Sequence, residues 1–150
     1  MSRTRAILVA VTLLLAATAA GCSQGQSGPT APTGSAASPS SPAALGKQIF
    51  TTGNGASGSP VGVSSGTAGA CQRCHGADAQ GAVGPDIRWS VLTGATSSSR
   101  APRFTIADEA QFTTAVTTGV VADNQLRQMM PHFQLTPAES AGLVAYLKSL

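Results

Sequence analysis

The sequence predicts an all-α domain with long loops, set behind an export segment and a tether. Three observations carry that prediction. "LTPAESAGLVAYLKSL", Leu135 to Leu150, has the marks of a capped amphipathic helix. "AALGKQIF" repeats apolar and small residues at helical spacing, pairing Leu45 with Ile49 and Gly46 with Phe50. No run of useful length alternates polar and apolar residues as a half-buried strand would.

Taken in chain order, the first element is not part of that domain. "MSRTR" supplies two arginines, and "AILVAVTLLLAATAA" follows as an apolar run that ends at "GC". A basic start, an apolar stretch and small residues before a cut describe a secretory signal. An uncleaved anchor is the competing reading, but a spanning helix needs about 20 apolar residues and this run is shorter. Ala19-Ala20-Gly21-Cys22 resembles the lipobox of bacterial lipoproteins, with Ala19 where leucine is usual. That resemblance implies a signal peptide over 1–21 and a diacylglyceryl group on Cys22. The chain is then expected outside the cytoplasm, facing the periplasm or the cell exterior, and held at the membrane by lipid.

Residues 22–43 read as a disordered tether. "SQGQSGPTAPTGSAASPSSPA" has no charge and nothing large and apolar, so it cannot offset the entropy of being ordered. As flexible coil, ~20 such residues span about 25 Å.

The domain is expected over 44–150. Its first helix lies in "AALGKQIF". A glycine-rich stretch then runs from Thr51 to Ala70, with no amphipathic period. Structureless runs of this length are uncommon inside a compact domain and are either functional or mobile. After "CQRCHG" comes a loop from about Ala77 to Thr105 containing "GPDIRWSVLTG". In "IADEAQFTTAVTTGV", Phe112, Ala115, Val116 and Gly119 fall at helical spacing. Asp108 and Glu109 lie in the first turn, where negative charge suits the helix dipole, and Gly119 terminates. In the last helix Thr136 is the N-cap, Pro137 takes the first helical position and Glu139 completes a capping box.

Charge excludes one class of partner. The formal +3 includes Arg3 and Arg5, and without them 7 basic groups face 6 acidic ones, a net of +1. The basic residues are scattered, so nucleic-acid binding has no electrostatic footprint.

The chemistry lies in "GACQRCHGAD". Zinc wants four N or S ligands, and Cys71 with Cys74 supplies two, with His75 adjacent and His132 remote. A redox pair of the thioredoxin kind needs a strand before it and a helix after it, and the glycine-rich run offers no strand. A structural disulfide over two residues would close a tiny loop and stabilise little. Cys-x-x-Cys-His is also the signature of covalent haem attachment. Cys71 and Cys74 would each add to a vinyl group of one porphyrin, and His75 would offer its imidazole to the iron.

Candidates for the remaining iron ligand lie in "RQMMPHFQLT". Pro131 disfavours helix at the residue before it, which leaves Met130 in a turn or extended geometry. Met129 suits core filling. His132 and an open position are the other readings, and a thioether ligand would raise the reduction potential where a second histidine would lower it.

With these pieces in order, residues 44–150 resemble the class I c-type cytochromes, a mono-haem family with His and Met axial ligands. "GKQIF", "CQRCHG", "GPDI", "MPHF" and "LTPAESAGLVAYLKSL" carry the resemblance. It implies a helical domain wrapped around one covalent haem c. It implies that Gly46 and Phe50 meet the last helix near Leu143 and Tyr146. It also implies that the Pro85 carbonyl accepts from the His75 imidazole and that Met130 is the second axial ligand. Two features depart from the family: the 51–70 stretch is longer than its usual link, and the propionate contacts do not map. Trp89, Arg88, Arg100 and Arg103 are candidates for those contacts by chemistry, against the plainer reading of Trp89 as core and the arginines as solvated.

Function is expected to be electron carriage, since a His/Met haem has no open position for substrate. The membrane-bound redox proteins that donate and accept electrons would be its partners. The alternatives are a haem subunit of an oxidoreductase complex, or a haem enzyme or ligand sensor with a displaceable Met130, and a structural lipoprotein without haem. No catalytic triad or carboxylate pair points to an enzyme.

Overall fold

A computed structural model describes residues 39–121, 124–125 and 130–150. Cys22, Met129, Arg127, the signal segment and most of the tether lie outside the described residues. Among the described residues no helix is long and apolar enough to cross a membrane.

The element order is α1 (Pro42–Thr52), β1 (Gly62–Ser65), α2 (Gln72–His75), α3 (Trp89–Leu92), α4 (Glu109–Thr118), β2 (Val120–Val121), β3 (Asn124–Gln125), β4 (His132–Gln134) and α5 (Pro137–Lys148). Helix α1 starts two residues before the expected Ala44. The Ser41 hydroxyl accepts from Ala44 N and Pro42 occupies the first turn. This is the arrangement that Thr136 and Pro137 give α5, where the Thr136 hydroxyl accepts from Glu139 N and Glu139 answers to Thr136 N.

Helices α1 and α5 pack face to face through two glycines. A Cβ on Gly46 would overlap the Gly142 carbonyl, and one on Gly142 would stand 3.0 Å from the Pro42 carbonyl oxygen. Removing both side chains lets the backbones meet, and the flanking residues interlock around that point. Phe50 and Tyr146 bring their ring centroids to 5.3 Å, tilted at 52°. Leu45, Ile49, Phe50, Leu143, Val144 and Leu147 join Phe112 and Val116 of α4 in one buried cluster. Each large side chain sealed there contributes about 1.5–3 kcal/mol.

Helix α4 begins where the Asp108 carboxylate accepts from Gln111 N at 2.8 Å. It ends on Gly119 at φ 72, the left-handed conformation that a terminating glycine supplies. Its exposed flank meets α5 through the Lys148–Glu109 ion pair.

The all-α expectation needs correction. The helices are present, but two short antiparallel ribbons accompany them, β1 with β4 and β2 with β3. Their strands are two to four residues long, too short for an alternating pattern to show. β1, "GVSS", is drawn from the glycine-rich stretch and pairs Gly62 with Gln134, Val63 with Phe133 and Ser65 with His132. The expected loop 77–105 also holds the single turn α3.

Candidate metal centre

Helix α2 is one turn, and with Cys71 capping its start it brings both cysteines and the histidine to one place. Cys74 N and His75 N donate to the Cys71 carbonyl, at 3.1 and 3.0 Å, and Gly76 N donates to the Gln72 carbonyl at 2.9 Å. Gly76 then leaves the turn at φ 80. The chain folds back onto the same turn. Gly81 N donates to the His75 carbonyl at 2.8 Å, and Gly84 N donates to the Cys74 carbonyl at 2.7 Å. Residues 76–84 thus satisfy the carbonyls that so short a helix leaves open.

The return brings Pro85 beneath the imidazole. His75 Nδ1 lies 2.8 Å from the Pro85 carbonyl oxygen, which can only accept, so Nδ1 bears the proton and Nε2 keeps its lone pair. His75 is buried. Burial pushes its pKa down, and the Pro85 carbonyl opposes that in part. Gly84 makes the approach possible, since a Cβ there would stand 2.9 Å from His75 Cε1. Sequence reading named the "GP" pair for its proline alone, although the glycine has its own steric reason.

Asp86 fixes the turn that presents Pro85. It is 1% exposed. Its carboxylate accepts from Arg88 Nη2 at 2.7 Å, from Arg88 Nε at 3.1 Å and from Arg88 N at 3.2 Å. These bonds, with the Arg88 side chain foremost, hold its pKa below the usual carboxylate value against the opposing effect of burial. Asp86 N in turn donates to the Arg100 carbonyl at 2.8 Å. Arg100 donates from its guanidinium to the Ala82 carbonyl. Arg88 and Arg100, candidates for propionate contacts, therefore both hold the 82–100 loop together. No sequence pattern announced the Asp86–Arg88 pair beyond their spacing of two.

The other candidates fall as follows. Both thiols are free, Cys71 half-buried against the core and Cys74 exposed. Burial, with Cys74 adding to it, pushes the Cys71 thiol up to about 11. Among the described residues no three His, Cys, Asp or Glu side chains converge as a metal cluster. Met130 is half-buried and packs on the same core as Cys71. His132 follows on β4 with its ring against Gly119, where a Cβ would overlap it. Trp89 packs edge-on to Phe112 at 6.0 Å, with Lys148 Nζ 5.0 Å from its ring centroid. Arg103 is exposed.

These residues fit a covalent haem. Two unpaired thiols stand three positions apart in one turn, and a histidine holds its distal nitrogen free because the other nitrogen is engaged. A thioether is seated on the same core. Comparison with a family model agrees at the level of family. No curated protein matches the chain. Among solved structures, a dihydro-haem d1 dehydrogenase, NirN, in complex with DHE is 30% identical over 51% of this chain, with a TM-score of 0.36. This chain spans 13% of that protein's length. The family model for cytochrome c matches residues 43–150. With the turn at Cys71–His75 inside that span, the chain belongs to the cytochrome c family and carries covalently bound haem c.

Proposed function

We propose that this protein is a mono-haem carrier of single electrons with His75 and Met130 as axial ligands. In this reading it is tethered outside the cytoplasm through lipid on Cys22 and serves membrane-bound redox proteins. The observation that carries the reading is the His75 Nδ1 contact with the Pro85 carbonyl, which leaves the buried ring's other nitrogen available to a metal.

The haem supplies a one-electron iron couple. The chain's residues do the rest. Cys71 and Cys74 would hold the haem through two thioether links, one to each vinyl group, with each thiol hydrogen passing to the other vinyl carbon. Pro85 holds the imidazole proton and so the ring's tautomer and angle. Met130 would supply the second protein ligand, and a haem held by two protein ligands favours outer-sphere transfer over substrate binding. The near-neutral mature charge gives little long-range steering, so transfer rates should depend weakly on salt. The tether keeps the domain at high effective concentration near membrane partners.

The test is the visible spectrum of the reduced protein at neutral pH with and without carbon monoxide. An unchanged spectrum supports two protein ligands, and strong carbon monoxide binding overturns the carrier reading. For the anchor, Cys22→Ser should move the protein from the membrane fraction to the soluble one.

A further inference from the structure

The glycine-rich run from Thr51 to Ala70 exceeds what a link between α1 and α2 requires, and it is not loose. Gln48 Nε2 donates to the carbonyl of Gly55 at 2.7 Å. Ala56 N donates to Glu139 Oε1 at 3.0 Å, across 83 residues. Val61 N donates back to the Gly53 carbonyl at 2.8 Å, and Val61 is buried. From this root the chain extends as β1 along β4, with an irregularity in register between Val63 and Ser65. Val63 packs on the core as it goes.

The run ends on the segment that carries the candidate ligand. Gly66 adopts φ +79, and a Cβ there would stand 3.0 Å from the Cα of Pro131. Pro131 has no N–H to enter a ladder, so a close backbone is a means of holding it. Next in the chain, the His132 ring rests against Gly119 at the end of α4. Residues 131–134 are therefore clasped between α4 and the glycine-rich run, and Met130 is one peptide bond from that clasp.

We propose that the glycine-rich run, through β1 and Gly66, is a positioning device for Met130, bracing the Met130–Pro131 link so that the thioether stays on the iron against competing ligands. This rests on the reading of Met130 as an axial ligand. A side chain on a short flexible segment ligates only for the fraction of time its backbone is competent, and an outside ligand gains whatever fraction the brace gives up.

The molecule contains its own control. Gly58, in the same run, has φ +77 but nothing within 4 Å of where its Cβ would be. Gly58→Val and Gly66→Val impose the same left-handed strain, and only the second presses on Pro131. The measurement is imidazole titration of the ferric holoprotein, followed by loss of the long-wavelength thioether–iron absorption band. Met130→Ala serves as the unligated reference, and far-UV circular dichroism reports folding. Gly66→Val should bind imidazole at least about tenfold more tightly than wild type, with Gly58→Val within about twofold. Equal affinity in the two glycine variants overturns the brace while leaving Met130 as ligand. Wild type binding imidazole as tightly as Met130→Ala overturns the ligand reading, and the brace with it. If either valine variant fails to fold, the alanine pair at the same two positions reads out the same comparison.

Discussion

The two sides of the centre are built by opposite strategies. The His75 side is local: its turn closes on bonds to the Cys71 and Gln72 carbonyls, and its ring partner is 10 residues away. The Met130 side is assembled from afar. The strand beside it arrives from the glycine-rich run, with Ser64 Oγ donating to the His132 carbonyl across 68 residues. The root of that run is held by Glu139 across 83. Local construction places a side chain that the backbone itself dictates, whereas remote construction places one that depends on the whole domain being folded.

Substitutions should separate the two sides. The largest effect is expected from Gly84→Val, whose branched side chain would enter the space of the His75 ring and meet the Cys74 carbonyl. Overpacking of that kind costs about 3 kcal/mol, read as a lower denaturation midpoint, with the imidazole tilted off its Pro85 partner. Met130→Ala should cost about 2 kcal/mol through lost packing. It should keep the haem covalently attached, lower the reduction potential and open the iron to carbon monoxide. A change at Gly84 that left ligation on the His75 side untouched, or a Met130→Ala protein without haem, would break the contrast.

Glu139 tests the remote side from its root. Burial raises its pKa, but bonds from Thr136 N, Ala56 N and the Thr136 hydroxyl outweigh this and leave it below the usual glutamate value. Glu139→Gln weakens these charge-assisted bonds and should cost about 1–2 kcal/mol near neutral pH in a chemical melt. Because the folded pKa is depressed, the carboxylate's contribution is whole above the unfolded value and fades as pH falls through the folded one. The stability gap between wild type and variant should therefore close on acidification, and a gap that widened would remove the charge from the explanation. The smallest effect is expected at Lys148→Ala. Its ion pair with Glu109 is exposed, with side chains 44% and 56% accessible, and its place near the Trp89 ring adds little. A loss of about 0.5 kcal/mol is expected in the same melt.

What the sequence made legible follows the same division. Capped, periodic helices declare themselves locally, so α4, α5 and most of α1 could be placed from spacing and end signals. Ser41-Pro42 was hidden only because it sits in a linker of the same composition. The turn at Cys71–His75 was legible because its chemistry is written in five consecutive residues. β1 was not, because glycine and serine have weak strand preference and its partner lies beyond α4. Glu139 was half legible: its reach to Thr136 is a spacing of three, but its hold on Ala56 is a fact of the fold. Asp86 and Gly84 needed coordinates, since one acts through a folded-back loop and the other through a contact that a missing atom permits.

The turn that carries Cys71, Cys74 and His75 also fixes an order of events in time. Its hydrogen bonds span three and four residues, so forming it requires almost no loop closure. A chain that has not yet folded can visit this turn often and present both thiols and the imidazole together. The strand beside Met130 must wait until distant segments have met, and contacts of that separation form slowly. Attachment of the haem would therefore need only this turn and not the folded domain. On the proposed reading, ligation by Met130 would be the closing step, and the thioether absorption band would serve as a clock for completion of the fold.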